Sequence, residues 1–278
     1  MRSRTVPWLR GTARHVACTA VSATGLAALA FAARPKRRSR PKRSLPIEFY
    51  DVAVISATDV WGYGQNGLGC TANPADTCLY HWNGKTWTGT PVLANPSSIT
   101  AAGGHAWFAG LNDVQPVNGN PNVSLTGVPV IYELTGSTVK KVSAPSARVA
   151  NDVDVAAAPN GRLWLGTRLP TKAAPLTLFH WTGKAWTRIG IPATANGLPL
   201  VIEANLAYDN GNGVWWGTYS HWTGSKWVST FTDAAFDFGL GAVTAIPGAA
   251  SIWGAGVIPL TPGSQTYDSV IAVYGPLP

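Results

Sequence analysis

The chain has 278 residues with 21 Lys and Arg against 13 Asp and Glu, a net charge of +8, and it is rich in Gly (30), Pro (21) and Trp (13). Eleven of the basic residues lie at or before Arg43 and every acidic residue lies after it, so the rest of the chain carries ten basic against thirteen acidic side chains. That distribution excludes a nucleic-acid-binding face on the main part of the chain, and the lack of long apolar stretches at 3.6-residue spacing excludes a helical fold.

In chain order, Arg2, Arg4, Arg10 and Arg14 precede an apolar, small-residue stretch from Val16 to Ala33, with Ala28-Leu29-Ala30 and Ala30-Phe31-Ala32 as candidate cleavage sites. This pattern resembles a secretory signal peptide. The leader has no Arg-Arg pair before the apolar run, and Cys18 does not follow that run, which disfavours a twin-arginine signal and a lipoprotein anchor. The expected organisation is a signal peptide or membrane segment over 1–33, a basic linker over 34–44 and a folded domain over 45–278. Seven basic residues from Arg34 to Arg43 resist export by the positive-inside rule, so two locations stand: extracellular or cell-surface, and membrane-anchored with a cytoplasmic domain. The run 34–43 is a contact for anionic cell-wall polymer or lipid headgroups, or a solvated spacer.

Beyond the leader one heptad recurs three times: His81-Trp82-Asn83-Gly84-Lys85-Thr86-Trp87, His180-Trp181-Thr182-Gly183-Lys184-Ala185-Trp186 and His221-Trp222-Thr223-Gly224-Ser225-Lys226-Trp227. Each reads as a hairpin whose Asn-Gly or Thr-Gly pair supplies the positive-φ turn. Ile131 to Val139 is a degenerate copy. Upstream of the hairpins, five strands centre on Trp61, Trp107, Trp164, Trp215 and Trp253, and before those lie small-residue strands at 51–56, 98–102, 152–157, 201–206 and 242–246. Four strands repeating at about 40 to 50 residues predict a five-bladed all-β propeller of four-stranded blades. The last unit lacks an outer strand, which residues 45–50 are expected to add, closing the ring and removing an exposed edge.

Repetition makes these residues architectural. The five tryptophans are expected at equivalent depths between neighbouring sheets, and His81, His180 and His221 are expected to hydrogen-bond a neighbouring blade. Cys70 and Cys78, with seven residues between them in the first b–c loop, read as a loop-closing disulfide in an oxidising compartment; two unrelated thiols is the alternative.

The pairing of an apolar-Trp-small strand with a His-Trp-x-Gly-x-x-Trp hairpin resembles the Trp-rich β-propeller repeats of secreted actinobacterial proteins, grouped with kelch and galactose-oxidase-like propellers. The resemblance covers about residues 48 to 275 and implies fold more than function. The five-unit count also resembles tachylectin-type lectins, which implies sugar sites between blades. Gly84-Lys85-Thr86-Trp87 resembles the tail of the sialidase Asp-box turn, but Trp82 and Tyr80 stand where its Asp and its Ser/Thr belong. A galactose-oxidase copper centre needs a Tyr–Cys cross-link and two convergent histidines; here the histidines belong to separate blades, so no metal and no cofactor is expected.

Candidate chemistry gathers on the face with the long loops 65–77, 111–127 and 257–266. The starts of the inner strands there bring Asp51, Asp152, Asp154, Glu203 and Asp237 toward the channel mouth. Two functions stand. One is a binding module that holds a glycan or protein ligand through Asn112, Asn118, Asn122, Asp154 and Glu203. The other is a glycoside hydrolase or lyase that uses Asp51, Asp154 and Glu203 as acid and base or nucleophile. Lacking a distinctive acid–base motif, the chain reads as a non-enzymatic, monomeric binder; the carboxylates otherwise cap turn amides and solvate the mouth.

Overall fold

A computed structural model of the chain describes residues 47–65, 77–92, 94–116, 125–150, 152–167, 176–200, 202, 205–217, 219–229, 239–246, 252–259 and 267–274. Among these, every regular element is a strand. The first antiparallel sheet comprises Glu48–Ser56 (β1), Asp59–Gln65 (β2), Thr77–Trp82 (β3) and Trp87–Val92 (β4). The second comprises Asn95–Ala102 (β5), His105–Pro116 (β6), Leu125–Thr135 (β7) and Thr138–Val142 (β8), with Val149–Ala150 (β9) added against the start of β7. Val153–Ala157 (β10), Leu163–Thr167 (β11), Leu178–Trp181 (β12) and Trp186–Ile189 (β13) form the third. A two-stranded ribbon, Thr194–Ala195 (β14) and Leu198–Pro199 (β15), precedes the fourth sheet of Leu206–Tyr208 (β16), Val214–Trp216 (β17), Ser220–Trp222 (β18) and Trp227–Ser229 (β19). Gly239–Ala245 (β20), Ile252–Pro259 (β21) and Tyr267–Tyr274 (β22) form the three-stranded fifth.

Each four-stranded sheet is an up-and-down meander, and the first strands of successive sheets lie side by side, β1 against β5, β5 against β10, β10 against β16 and β16 against β20. This is the layout of an all-β propeller. The core follows from it: it is divided into wedges between neighbouring sheets. Trp61, Leu79 and Val92 of sheet 1 pack with Ile99, Phe108 and Leu134 of sheet 2, and Trp107 and Ile131 of sheet 2 pack with Val155, Leu165 and Phe179 of sheet 3. Trp164 and Leu178 meet Leu206, Val214 and Trp216 across the third wedge, and Trp215 meets Val243 and Ile252 across the fourth. Each second-strand tryptophan thus faces the sheet that follows it in sequence. The indole N–H groups of Trp61, Trp107, Trp164 and Trp215 have no hydrogen-bond partner, so these rings act through packing.

The hairpins form as the heptads predict. The positive φ falls on glycine alone, at 89° in Gly84, 91° in Gly183 and 90° in Gly224, the first central position of a two-residue turn. The flanking tryptophans are direct cross-strand partners, Trp82 with Trp87, Trp181 with Trp186 and Trp222 with Trp227, with ring centroids 5.8, 5.6 and 5.7 Å apart. Such an aromatic pair contributes on the order of 1 kcal/mol to a hairpin.

Four expectations change. Trp253 is 42% exposed, whereas its four counterparts are 8% exposed or less, and it lies across from Val273 with no histidine opposite it. Residues 48–50 do not form an outer strand beside β22; they extend β1, where Glu48 pairs with Gln65 and Phe49 with Gly64. The expected loop 111–127 is largely strand, since β6 runs on to Pro116 and β7 starts at Leu125, and 257–259 likewise belong to β21. The fourth inner strand is Leu206–Tyr208, displaced from 201–206.

Asparagine side chains join the later sheets by imitating a strand edge. Asn196, at the tip of the ribbon, donates to the Ser229 carbonyl at 3.0 Å and accepts from the Ser229 amide at 2.7 Å. Asn205 does the same to Val243, at 3.1 and 2.8 Å.

Candidate functional site

The histidine of each heptad is the cross-strand partner of the second-strand tryptophan, and the register stacks the rings: Trp61 on His81 at 4.4 Å, Trp164 on His180 at 4.8 Å and Trp215 on His221 at 4.4 Å. What the imidazole does next is set by the residue two places before that tryptophan. In sheet 1 this is Asp59, whose Oδ1 lies 3.0 Å from His81 Nε2. In sheet 2 the two types change places. Glu133 occupies the histidine position opposite Trp107, His105 occupies the acid position, and His105 Nδ1 lies 3.0 Å from Glu133 Oε1.

Sheet 4 reaches the same result by another route. Gly213 stands two before Trp215, and a Cβ there would lie 2.8 Å from Asp209 Oδ2 and 1.8 Å from the Trp222 carbonyl oxygen. The missing side chain leaves room for Asp209 to reach in from the preceding turn. Its Oδ2 lies 2.8 Å from His221 Nε2, while its Oδ1 accepts from the amides of Gly211 (2.8 Å) and Gly213 (3.0 Å). Burial alone raises the Asp209 pKa, but the His221 hydrogen bond, the two amides and the nearby imidazole outweigh it and hold the carboxyl below its ordinary value. These pairs lie within single sheets, so the expected histidine bonds to neighbouring blades do not occur for His81 and His221.

Sheet 3 breaks the pattern. Arg162 stands where Asp59 stands in sheet 1, and His180 Nε2 is buried without a hydrogen-bond partner. Burial first, and the Arg162 charge second, lower the His180 pKa, so the ring is neutral at pH 7. Arg162 Nη1 donates to Asn212 Oδ1 of sheet 4 at 3.0 Å. Around this bond a cleft of about 400 Å³ opens between the turns of sheets 3 and 4, lined by Arg162, His180 and Thr182 on one side and Asn212, Thr223 and Ser225 on the other. Behind His180 lies Trp164, whose ring stacks with that of His180 and, at 5.4 Å, with that of Tyr208. The cleft offers one guanidinium, a carboxamide and three hydroxyls, with no carboxylate among its lining residues.

The expected loop-side site is at the opposite ends of the strands and only part of it lies in the described residues. Asp51 is half-buried in β1, with Oδ1 accepting from the Val52 amide at 2.8 Å. Asp154 lies within β10 opposite Gly166 and is 0% exposed. Asn112 is half-buried within β6 opposite Val128. Asp152 is half-buried before β10. Glu203, Asp237, Asn118, Asn122 and Cys70 lie outside the described residues, while Cys78 is buried in β3. Beside Asn112, Arg148 donates through Nη1 to the carbonyls of Asp113 (2.9 Å) and Thr126 (3.2 Å) and pairs with the Asp113 carboxylate, a tie that secures the extended β6–β7 pair.

Among the described residues, no group of three or more His, Cys, Asp and Glu is placed to hold a metal ion, and no helix is long and apolar enough to cross a membrane.

Aligning the sheets on their tryptophans shows the Asp59–Arg162 exchange in the sequence alone, but the His180 pairing that gives it meaning needs the register. Nothing in the sequence signals that Asn212 and Ser225 face that site from the next sheet.

No protein-family model matches the chain and no curated protein matches it. Among solved structures it is similar to SapL1 lectin in complex with alpha methyl fucoside (TM-score 0.46, 12% identity, covering 86% of this chain and 83% of that one). It is also similar to the six-bladed β-propeller lectin of Aleuria aurantia (0.43, 13%, 80% and 78%) and to a subtype N11 neuraminidase-like protein (0.35, 11%, 86% and 90%).

Proposed function

We propose that this chain is an exported, non-enzymatic five-bladed β-propeller that binds carbohydrate, with a binding site in the cleft between sheets 3 and 4. The observation that carries the reading is the lining of that cleft. Hydroxyl, carboxamide and guanidinium groups on exposed turns match the donors and acceptors of a sugar ring, and buried aromatic rings hold the site rigid beneath. Against the hydrolytic reading, Asp154, one of the three carboxylates on which it depends, is buried. Five consecutive sheets, each with its first strand beside that of the next, support the blade count.

Screening the purified domain on a glycan panel, for retention and for released reducing ends, tests this reading. Retention without release is expected. Truncating Thr223 or Ser225 to alanine should weaken retention by about 1 kcal/mol per lost hydrogen bond, and Asp154→Asn should leave ligand specificity unchanged. Release that disappears in Asp154→Asn would make the protein a hydrolase.

Export further implies a mature chain that begins after about Ala33 and carries a Cys70–Cys78 disulfide, with Cys78 buried in β3. Intact mass with and without reductant should differ by about two daltons for one bridge. A protein recovered full-length, reduced and membrane-bound would place the propeller in the cytoplasm.

A further inference from the structure

We infer that the cleft between sheets 3 and 4 takes the anionic group of an acidic saccharide, a carboxylate or sulfate held on the Arg162 guanidinium; this rests on the carbohydrate reading above. The argument is a comparison of the sheets. At the same level sheets 1, 2 and 4 each hold an acid beside an imidazole: Asp59 with His81, Glu133 with His105 and Asp209 with His221. Sheet 3 keeps the imidazole and the stacked tryptophan, yet it has a fixed cation in place of the acid, and His180 Nε2 is left without a partner.

For stability this exchange is unfavourable, because it removes a hydrogen bond and leaves a buried polar atom unsatisfied. It occurs in the sheet whose turns border the cleft, and no carboxylate lines that cleft to neutralise the guanidinium. The bond from Arg162 Nη1 to Asn212 Oδ1 orients the planar group and uses one of its five donors. The remaining fork is suited to two-point recognition of an oxyanion. Thr182, Thr223 and Ser225 surround it with hydroxyls that match the sugar bearing that anion.

The test compares matched ligands by calorimetry: an oligogalacturonate against its methyl ester, and a sulfated chondroitin disaccharide against its desulfated form. Sodium sulfate, followed by tryptophan fluorescence at constant ionic strength, is the saccharide-free probe. In one of the two pairs the anionic member should bind about tenfold more tightly than its neutral counterpart, and the pair that responds identifies carboxylate or sulfate. Arg162→Gln and Arg162→Asp should both abolish the difference. Arg162→Asp supplies the acid found in sheet 1, so its Tm should equal or exceed that of the parent, which separates loss of binding from loss of fold. Equal binding of charged and neutral members would overturn the anion inference and leave the carbohydrate reading standing. If no saccharide binds, the carbohydrate reading fails; an Arg162-dependent response to sulfate would then still support the anion site, and its absence would overturn it.

Discussion

Replacing Trp164 with alanine should destabilise the fold by about 3 to 5 kcal/mol, read as a fall in the denaturant midpoint at unchanged slope. Trp164 is 0% exposed and lies in the wedge between sheets 3 and 4, its ring stacked with those of His180 and Tyr208. The neighbouring backbone is not free to close over the cavity, because the wedge is also filled by Trp216, whose ring would lie 2.6 Å from a Cβ placed on Gly166. Trp253→Ala provides the contrast. With its ring 42% exposed, it has less packing to lose, and its effect should be about 1 kcal/mol or less. Similar losses at the two positions would mean that the wedges do not carry the core.

Asp209→Ala should cost on the order of 3 kcal/mol, because it strips a hydrogen-bonding partner from His221 Nε2 and from the amides of Gly211 and Gly213 at once. The pH dependence has a definite sign. The folded-state pKa of Asp209 lies below its ordinary value, so the stabilisation is present in full above the unfolded pKa of about 4 and is lost as pH falls through the folded value. Chemical unfolding between neutral and acid pH should therefore show a steeper acid loss in the parent than in Asp209→Asn. Parallel pH profiles would remove Asp209 from this role.

The repeated elements are legible in the sequence because their causes are local. A two-residue turn with glycine at its first position needs only a few neighbouring residues, and the recurring apolar-Trp-small run marks the strands around Trp61, Trp107, Trp164 and Trp215. Hence the hairpins, the second-strand tryptophans and the meander of each sheet follow from reading the repeat. Among the described residues the count of four strands per unit departs in two sheets, the second, which gains β9, and the fifth, which has β20 to β22.

Contacts between residues distant in sequence, within a sheet and between sheets, needed the tertiary structure, since they depend on register and on the angle between sheets, neither of which leaves a spacing signal. Asp59 and His81 are 22 residues apart, and it is the pairing of Trp61 with His81 that brings them to 3.0 Å. Asp209 reaches His221 from a different position through a turn that needs Gly213, so the equivalence of the two pairs exists only in space. Asp154 reads as a channel-mouth carboxylate from its place at a strand start, yet the packing of β10 between its neighbours buries it completely. The role of Arg162 likewise depends on the next sheet, which places Asn212 and Ser225 across from it.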